Sequence, residues 1–158
     1  EPPESNLLDR PPRHPEDFIV SPSMLKQILL TAGLFFGVMI YFLNYFQRDG
    51  TITAKELSIF FTLFVLLQFW NLFNAKSLGQ SRSVFLGFFK NKVLLIIACV
   101  ILVGQIMIVQ YGGTVFRTVP LSLNDWLILL LGSSAVLWMG EIWRFTQRHG
   151  LFNKNGYL

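Results

Sequence analysis

Four long apolar stretches constrain the fold of this chain more than any other feature of its sequence. They cover roughly residues 24–46, 57–74, 93–110 and 126–145. A helix needs about 20 mainly apolar residues to cross the hydrocarbon layer of a bilayer, and each stretch is close to that length. The sequence therefore predicts an all-α membrane protein with four transmembrane helices.

The composition agrees with a membrane location. Charged residues make up 14% of the 158 residues and hydrophobic residues 53%, whereas soluble domains carry about 25% charged residues. The formal net charge is +4, but the Lys and Arg residues lie between the apolar stretches and form no compact basic run. We therefore expect the lipid bilayer as a partner and no nucleic acid.

The sequence offers little material for a catalytic or metal site. Cys99 is the single cysteine, and the two histidines, His14 and His149, lie near opposite ends of the chain. No Gly-x-Ser-x-Gly, phosphate-binding glycine loop or His-Glu-x-x-His motif occurs. We expect no catalytic residue here, assign no certain metal ligand, and expect this segment to be inactive alone.

The positions of the basic residues predict the orientation and the domain organisation. Ten of the 13 Lys and Arg residues flank one side of the four stretches, which places both termini and the middle loop in the cytoplasm. We expect a Pro-rich cytosolic segment at residues 1–22, a four-helix membrane domain at 23–146 and a cytosolic tail at 147–158. The chain begins at Glu1 with Pro-rich sequence, so we also expect a fragment of a longer protein.

Short motifs predict how the helices begin and pack. Capping-box spacing precedes the second and fourth stretches, at Thr53 with Glu56 and at Ser122 with Asp125. In the first stretch, Gly33-x-x-x-Gly37 predicts a packing groove inside a larger bundle.

Polar side chains inside the second stretch are candidates for function, because burying them in lipid is costly. Gln68 and Asn71 are three residues apart and lie on one side of a helix, and Asn74 continues that spiral. Their amide oxygens suit a hard cation such as calcium, although neutral amides only supplement carboxylates from elsewhere. The alternative is hydrogen bonding between helices.

Glu141 is the one acidic residue within an apolar stretch; it lies one turn from the cytoplasmic edge and precedes Arg144 by three residues. That spacing allows an ion pair along the helix near the membrane surface. The alternative is a role as the partner of a buried proton or cation. We therefore treat Gln68, Asn71 and Glu141 as candidates for a cation pathway.

Four segments together resemble the P-type cation-transporting ATPases, in the order that the family has them. They are Asp9-Arg10-Pro11-Pro12-Arg13, FVLLQFWNLFNAKSLG at 64–79, QIMIVQYGGTVFRTVPLSLNDW at 105–126, and Glu141-Ile142-x-Arg144-Phe145. The third is most similar to the plasma-membrane type of calcium pump. The resemblance covers almost the whole chain and implies the last four helices of such a pump.

The resemblance implies a parent pump that forms a phospho-aspartate from ATP, with Mg²⁺ as cofactor and calcium as cargo. The Asp-Lys-Thr-Gly phosphorylation signature of the family does not occur in this chain. The ATP site, the phosphorylation domain and the other helices would be supplied by the rest of the pump chain. Asp9, Arg10 and Arg13 match the loop that couples the membrane helices to the phosphorylation domain.

One difference from other pumps of the family, at Gln68, bears on the number of calcium ions transported per cycle. Sarcoplasmic-type calcium pumps have a glutamate ligand at the position of Gln68, and an amide lacks the charge that a second divalent ion needs. The resemblance therefore implies one calcium ion per cycle. Sodium–potassium pumps also carry glutamine there, with an aspartate at the position of Asn71, so these residues alone do not select the ion.

Two alternatives stay open at this point. One is a related P-type pump for sodium, potassium, protons or manganese. The other is an independent four-helix membrane protein that acts as a scaffold, channel or carrier. For the pump, the short tail after the last stretch favours a bacterial inner membrane or a plasma membrane.

Overall fold

The computed structural model describes residue 20 and residues 22–77, 83–85 and 91–149. Within these ranges all regular secondary structure is helical. The helices, in chain order, are α1 (Pro22–Phe46), α2 (Ala54–Lys76), α3 (Lys92–Tyr111), α4 (Gly113–Phe116), α5 (Leu123–Ser133) and α6 (Ala135–Arg148). A single 3-10 turn, Gln47–Asp49, follows α1.

Four helical segments are long and apolar enough to cross a membrane, and they confirm the predicted all-α fold. They are Met24–Phe46, Ala54–Lys76, Lys92–Tyr111 and Leu123–Thr146. The chain is therefore an integral membrane protein. Its orientation across the membrane stays a prediction.

The fourth span differs from the prediction because it consists of two helices, α5 and α6, interrupted at Ser134. The hydroxyl groups of Ser133 and Ser134 donate hydrogen bonds of 2.6 Å to the carbonyl oxygens of Leu129 and Leu131. Such bonds compete with the regular backbone pattern of a helix. The two consecutive serines therefore account for the interruption of the helix at Ser134. The two helices together still form one span, Leu123–Thr146.

Helix α2 is the centre of the bundle, since it packs against α1, α3, α5 and α6. Leu66 of α2 is completely buried and lies in an apolar cluster with residues of all four neighbours, including Phe35, Val109, Leu129 and Val136. A second cluster lies nearer the carboxyl end of α2. It comprises Phe69, Phe73, Val84, Leu94, Ala98 and Leu137.

The outer helices leave broad apolar faces uncovered. Leu29 and Phe36 of α1 are 62% and 69% exposed, and Ile96 and Val100 of α3 are similar. No atom of another described helix lies within 4 Å of a Cβ built on Gly33 or Gly37. The packing groove that we expected at these glycines therefore has no occupant among the described residues.

The ends of the helices away from the predicted cytoplasmic side are tied together by polar contacts. Both predicted capping boxes form, at Thr53 with Glu56 and at Ser122 with Asp125. Asp125 also pairs with Lys55 of α2 at 3.0 Å. The Asp125 carboxylate thus caps α5 and links the starts of the second and fourth spans.

Candidate functional site

One stripe of α2 stays uncovered although the helix is central. It contains Leu57, Phe64, Gln68 and Asn71, which are spaced by seven, four and three residues and so share one side of the helix. Leu57 and Phe64 are 43% and 46% exposed. The other sides of α2 are occupied by α1, α3, α5 and α6.

Gln68 is exposed and Asn71 is half-buried on this stripe. No hydrogen bond joins either amide to another described residue. The hydrogen bonding between helices that we considered as an alternative for these two side chains does not occur in the described part of the chain. Both amide groups are therefore without a hydrogen-bond partner among the described residues.

Asn74 lies on a different side of α2 and contacts α6. Its Nδ2 donates a 2.8 Å hydrogen bond to the carbonyl oxygen of Val136, and its Oδ1 accepts a 3.0 Å bond from Nη2 of Arg144. The three amides that the sequence places on one spiral therefore divide into an uncovered pair and one residue that joins two helices.

Glu141 forms the ion pair with Arg144 that its spacing allows. Glu141 Oε2 lies 3.1 Å from Nη2 and 3.2 Å from Nε of Arg144, and it also accepts a 3.2 Å hydrogen bond from the backbone N–H of Val84. The side chains are only 15% and 7% exposed. The carboxylate is thus directed at the segment before α3 and not at the uncovered stripe of α2.

Two polar contacts inside the spans, one buried and one partly buried, could not be predicted from the sequence. Nε2 of Gln105 donates to Oγ1 of Thr62 at 3.3 Å, which joins α3 to α2. Nε1 of Trp70 donates to Oγ of Ser133 at 3.0 Å, which joins α2 to α5. A polar residue in each apolar stretch was visible in the sequence, but nothing in the sequence indicated which pairs would meet.

The remaining candidates are located as follows. Asp9, Arg10 and Arg13 lie outside the described residues, as does nearly all of the predicted segment 1–22. Among the residues that the structure does describe, no group of three or more His, Cys, Asp or Glu side chains is placed to hold a metal ion. A cation at the uncovered stripe would therefore need carboxylates from outside these residues.

The comparison with protein families agrees with this architecture. The family model described as "Cation transporting ATPase, C-terminus" matches residues 1–146. This range contains all four spans and both uncovered amides.

Several curated proteins are similar along most of the chain. "Calcium-transporting ATPase 1" of Schizosaccharomyces pombe is 34% identical over 161 residues, which is 98% of this chain and 18% of that protein. "Plasma membrane calcium-transporting ATPase mca-1" of Caenorhabditis elegans is 32% identical over 90% of this chain and 12% of its own length. "Plasma membrane calcium-transporting ATPase 1" of Homo sapiens is 34% identical over 87% of this chain and 12% of its own length.

The chain thus spans between 12% and 18% of the length of these relatives. The family match runs from the first residue of the chain to the last residue of the fourth span. On this evidence, the chain belongs to the cation-transporting ATPase family and corresponds to the C-terminal region of its members.

Proposed function

We propose that this chain is the C-terminal membrane region of an ATP-driven calcium pump, and that Gln68 and Asn71 contribute to its cation pathway. The relatives are named as calcium-transporting ATPases, which supports calcium as the cargo. The observation that carries the residue assignment is the pair of amides without described partners on the uncovered stripe of the central helix α2.

The chemistry of the amide pair fits a supporting role. Amide carbonyl oxygens are good ligands for calcium, but they bring no charge, and calcium sites combine them with carboxylates. In the proposed pump the carboxylates come from helices of the remaining chain that pack on the stripe of Leu57, Phe64, Gln68 and Asn71. ATP and Mg²⁺ act on the domains of that remaining chain.

The proposal gives Asp9, Arg10 and Arg13 a separate role. A Pro-rich segment has few accessible backbone conformations, so fixed charges on it can hold one docking geometry. We assign these three residues to the coupling of the four spans to the phosphorylation domain. The rest of the pump chain and the lipid bilayer are then the partners, in a bacterial inner membrane or a plasma membrane.

The test is the calcium dependence of phosphoenzyme formation in the natural full-length polypeptide. We expect Gln68→Ala and Asn71→Ala each to raise the half-saturating calcium concentration about tenfold, the effect of losing about 1.4 kcal/mol of binding free energy. Asn44→Ala is the matched control, because Asn44 is also an amide in a span but donates to Ile40 of its own helix. Unchanged calcium dependence in both α2 variants would overturn the residue assignment.

The alternatives have their own outcomes. Phosphoenzyme that forms with sodium, potassium, protons or manganese and not with calcium would identify a related pump. A native polypeptide of 18.1 kDa on an immunoblot of membranes would identify an independent four-helix protein. A band several-fold heavier is the outcome expected for the pump.

A further inference from the structure

A buried polar cluster joins the end of α2 to α6. It consists of Asn74, Glu141 and Arg144, and we call it the α2–α6 cluster. Arg144 is only 6% exposed, although it carries a full charge inside a span. A buried guanidinium is stable only when its charge is paired and its N–H groups are bonded, and here Glu141 and Asn74 provide both.

Gly140 brings the two helices together at this cluster. A Cβ atom at Gly140 would lie 2.6 Å from Cγ and 2.8 Å from Nδ2 of Asn74, so no larger residue fits without displacing the amide. The Asn74 amide bonds the backbone of Val136 on one side and the Arg144 side chain on the other. Both ends of one side chain of α2 are therefore fixed to α6.

Fixing Asn74 also fixes where the uncovered amides point. A helix turns about 100° and rises 1.5 Å per residue, so Gln68 lies about 9 Å before Asn74 and about 120° around the axis. A rotation of α2 that moved Gln68 away from its present direction would pull Asn74 out of the cluster. The contacts of Asn74 with α6 thus set the directions in which Gln68 and Asn71 leave the helix.

The cluster also holds the segment before α3. Glu141 accepts the backbone N–H of Val84 at 3.2 Å, and the side chain of Val84 is 7% exposed in the second apolar cluster. The ring of Phe85 lies 5.8 Å from that of Trp138 on α6. The same carboxylate therefore connects the end of the fourth span with the connection between the second and third spans.

We propose that Asn74, Glu141 and Arg144 are positioning residues for cation binding: they hold α2 in the rotation that presents Gln68 and Asn71 to the ion. The inference has two halves. The second, that the rotation of α2 affects cation binding, rests on the proposed function, because it requires the cation to bind at Gln68. The first half, the holding of α2 and of residues 83–85 on α6, is independent of the transported ion.

The experiment measures both halves in the full-length polypeptide in native membranes. The first readout is labelling of Val84→Cys by a membrane-impermeant maleimide, quantified on the peptide that contains residue 84. Val84 is buried, so we expect slow labelling in the parent and labelling about tenfold faster when Glu141→Ala or Arg144→Leu is added. Lys26→Cys is the control, because Lys26 is exposed on α1, outside the α2–α6 cluster, and should be labelled at similar rates in all backgrounds.

The second readout separates positioning from folding. In the single variants Glu141→Ala, Arg144→Leu and Asn74→Ala, we expect the half-saturating calcium concentration to rise about fivefold, while turnover per phosphoenzyme at saturating calcium stays near that of the parent. Arg144→Lys, which keeps the charge and one hydrogen bond, should recover part of the affinity. A merely structural role would lower the amount of pump and leave its calcium dependence unchanged.

Each outcome decides the inference. Faster labelling together with weakened calcium dependence supports it. Protected Val84→Cys in both charge variants, or labelling without any change in calcium dependence, overturns it. Failure of the proposed function has a different signature, since Gln68→Ala and Asn71→Ala would then leave the calcium dependence unaltered while Val84→Cys labelling still responded to Glu141→Ala.

Discussion

Gly140 of α6 lies directly against the carboxamide of Asn74 at the end of α2. Replacement by alanine places a methyl group on atoms that have no room to move without breaking the bonds to Val136 and Arg144. We expect Gly140→Ala to lower the free energy of unfolding by about 1–3 kcal/mol, the usual cost of overpacking. Thermal unfolding of the purified protein in detergent measures it.

Gly132 provides the matched control for this prediction. It lies in the same span, and no atom of another described element lies within 4 Å of a Cβ built there. Because alanine also favours helix over glycine, Gly132→Ala should be neutral or stabilising by up to about 1 kcal/mol. Equal effects of the two substitutions would contradict the close contact at Gly140.

The buried pair of Gln105 and Thr62 leads to a double-mutant prediction. Thr62 is completely buried, and Gln105 is 3% exposed. Thr62→Val leaves the Gln105 amide without its partner and should cost about 1–3 kcal/mol, whereas Thr62→Val with Gln105→Leu should cost less than the sum of the single changes. Thr114→Val at an exposed position is the control. Strictly additive free energies of unfolding would show that the pair does not interact.

Asp125 has two functions at the start of α5, and two substitutions separate them. Asp125→Ala removes the carboxylate half of the capping box together with the ion pair, whereas Lys55→Met removes only the ion pair. Because Lys55 is 55% exposed, its ion pair contributes little and is screened by salt. We expect a clearly larger fall in melting temperature for Asp125→Ala, and only the Lys55→Met effect should vanish at high ionic strength. Equal effects would assign Asp125 no capping role.

The features that could be predicted from the sequence depend on local physics. The span near 24–46 follows from apolar length alone, and the structure has a helix there. The capping box of Thr53 and Glu56 follows from spacing within a single turn, and it forms. Gln68 is a candidate because burying a polar side chain in lipid is costly, so its presence in an apolar stretch indicates a function.

The features that could not be predicted depend on how helices meet. Nothing within the sequence indicates that Asn74 faces α6 while Gln68 faces away, because this depends on which sides of α2 its neighbours cover. The Gly33-x-x-x-Gly37 motif is the opposite case, in which the sequence favours a helix contact that the described residues do not make. A helix-packing motif shows that a close helix contact is possible, but it does not identify the helix that makes the contact.

The proposed coupling segment yields a prediction about phosphorylation. Charge reversal at Arg10 and Arg13, each to Glu, should lower phosphoenzyme formation from ATP several-fold while leaving expression unchanged. The reason is that the reversed charges would repel the surface on which the segment docks. Reversal of Lys154 in the tail is the control. Normal phosphoenzyme levels in both Arg variants would remove Asp9, Arg10 and Arg13 from the coupling mechanism.

The neutral side chain of Gln68 leads to a prediction about stoichiometry. A second calcium ion brings two further charges, and their neutralisation in a low-dielectric site requires carboxylates. With an amide at residue 68, we expect the full-length pump to move about one calcium ion per ATP hydrolysed, measured as ⁴⁵Ca uptake against phosphate release in sealed vesicles. Gln68→Glu supplies a carboxylate on the same uncovered stripe, so it should strengthen calcium binding at the retained site or admit a second ion. A ratio near two in the parent protein would contradict the assignment of a single site, and an unchanged affinity and ratio in Gln68→Glu would place residue 68 away from the ion.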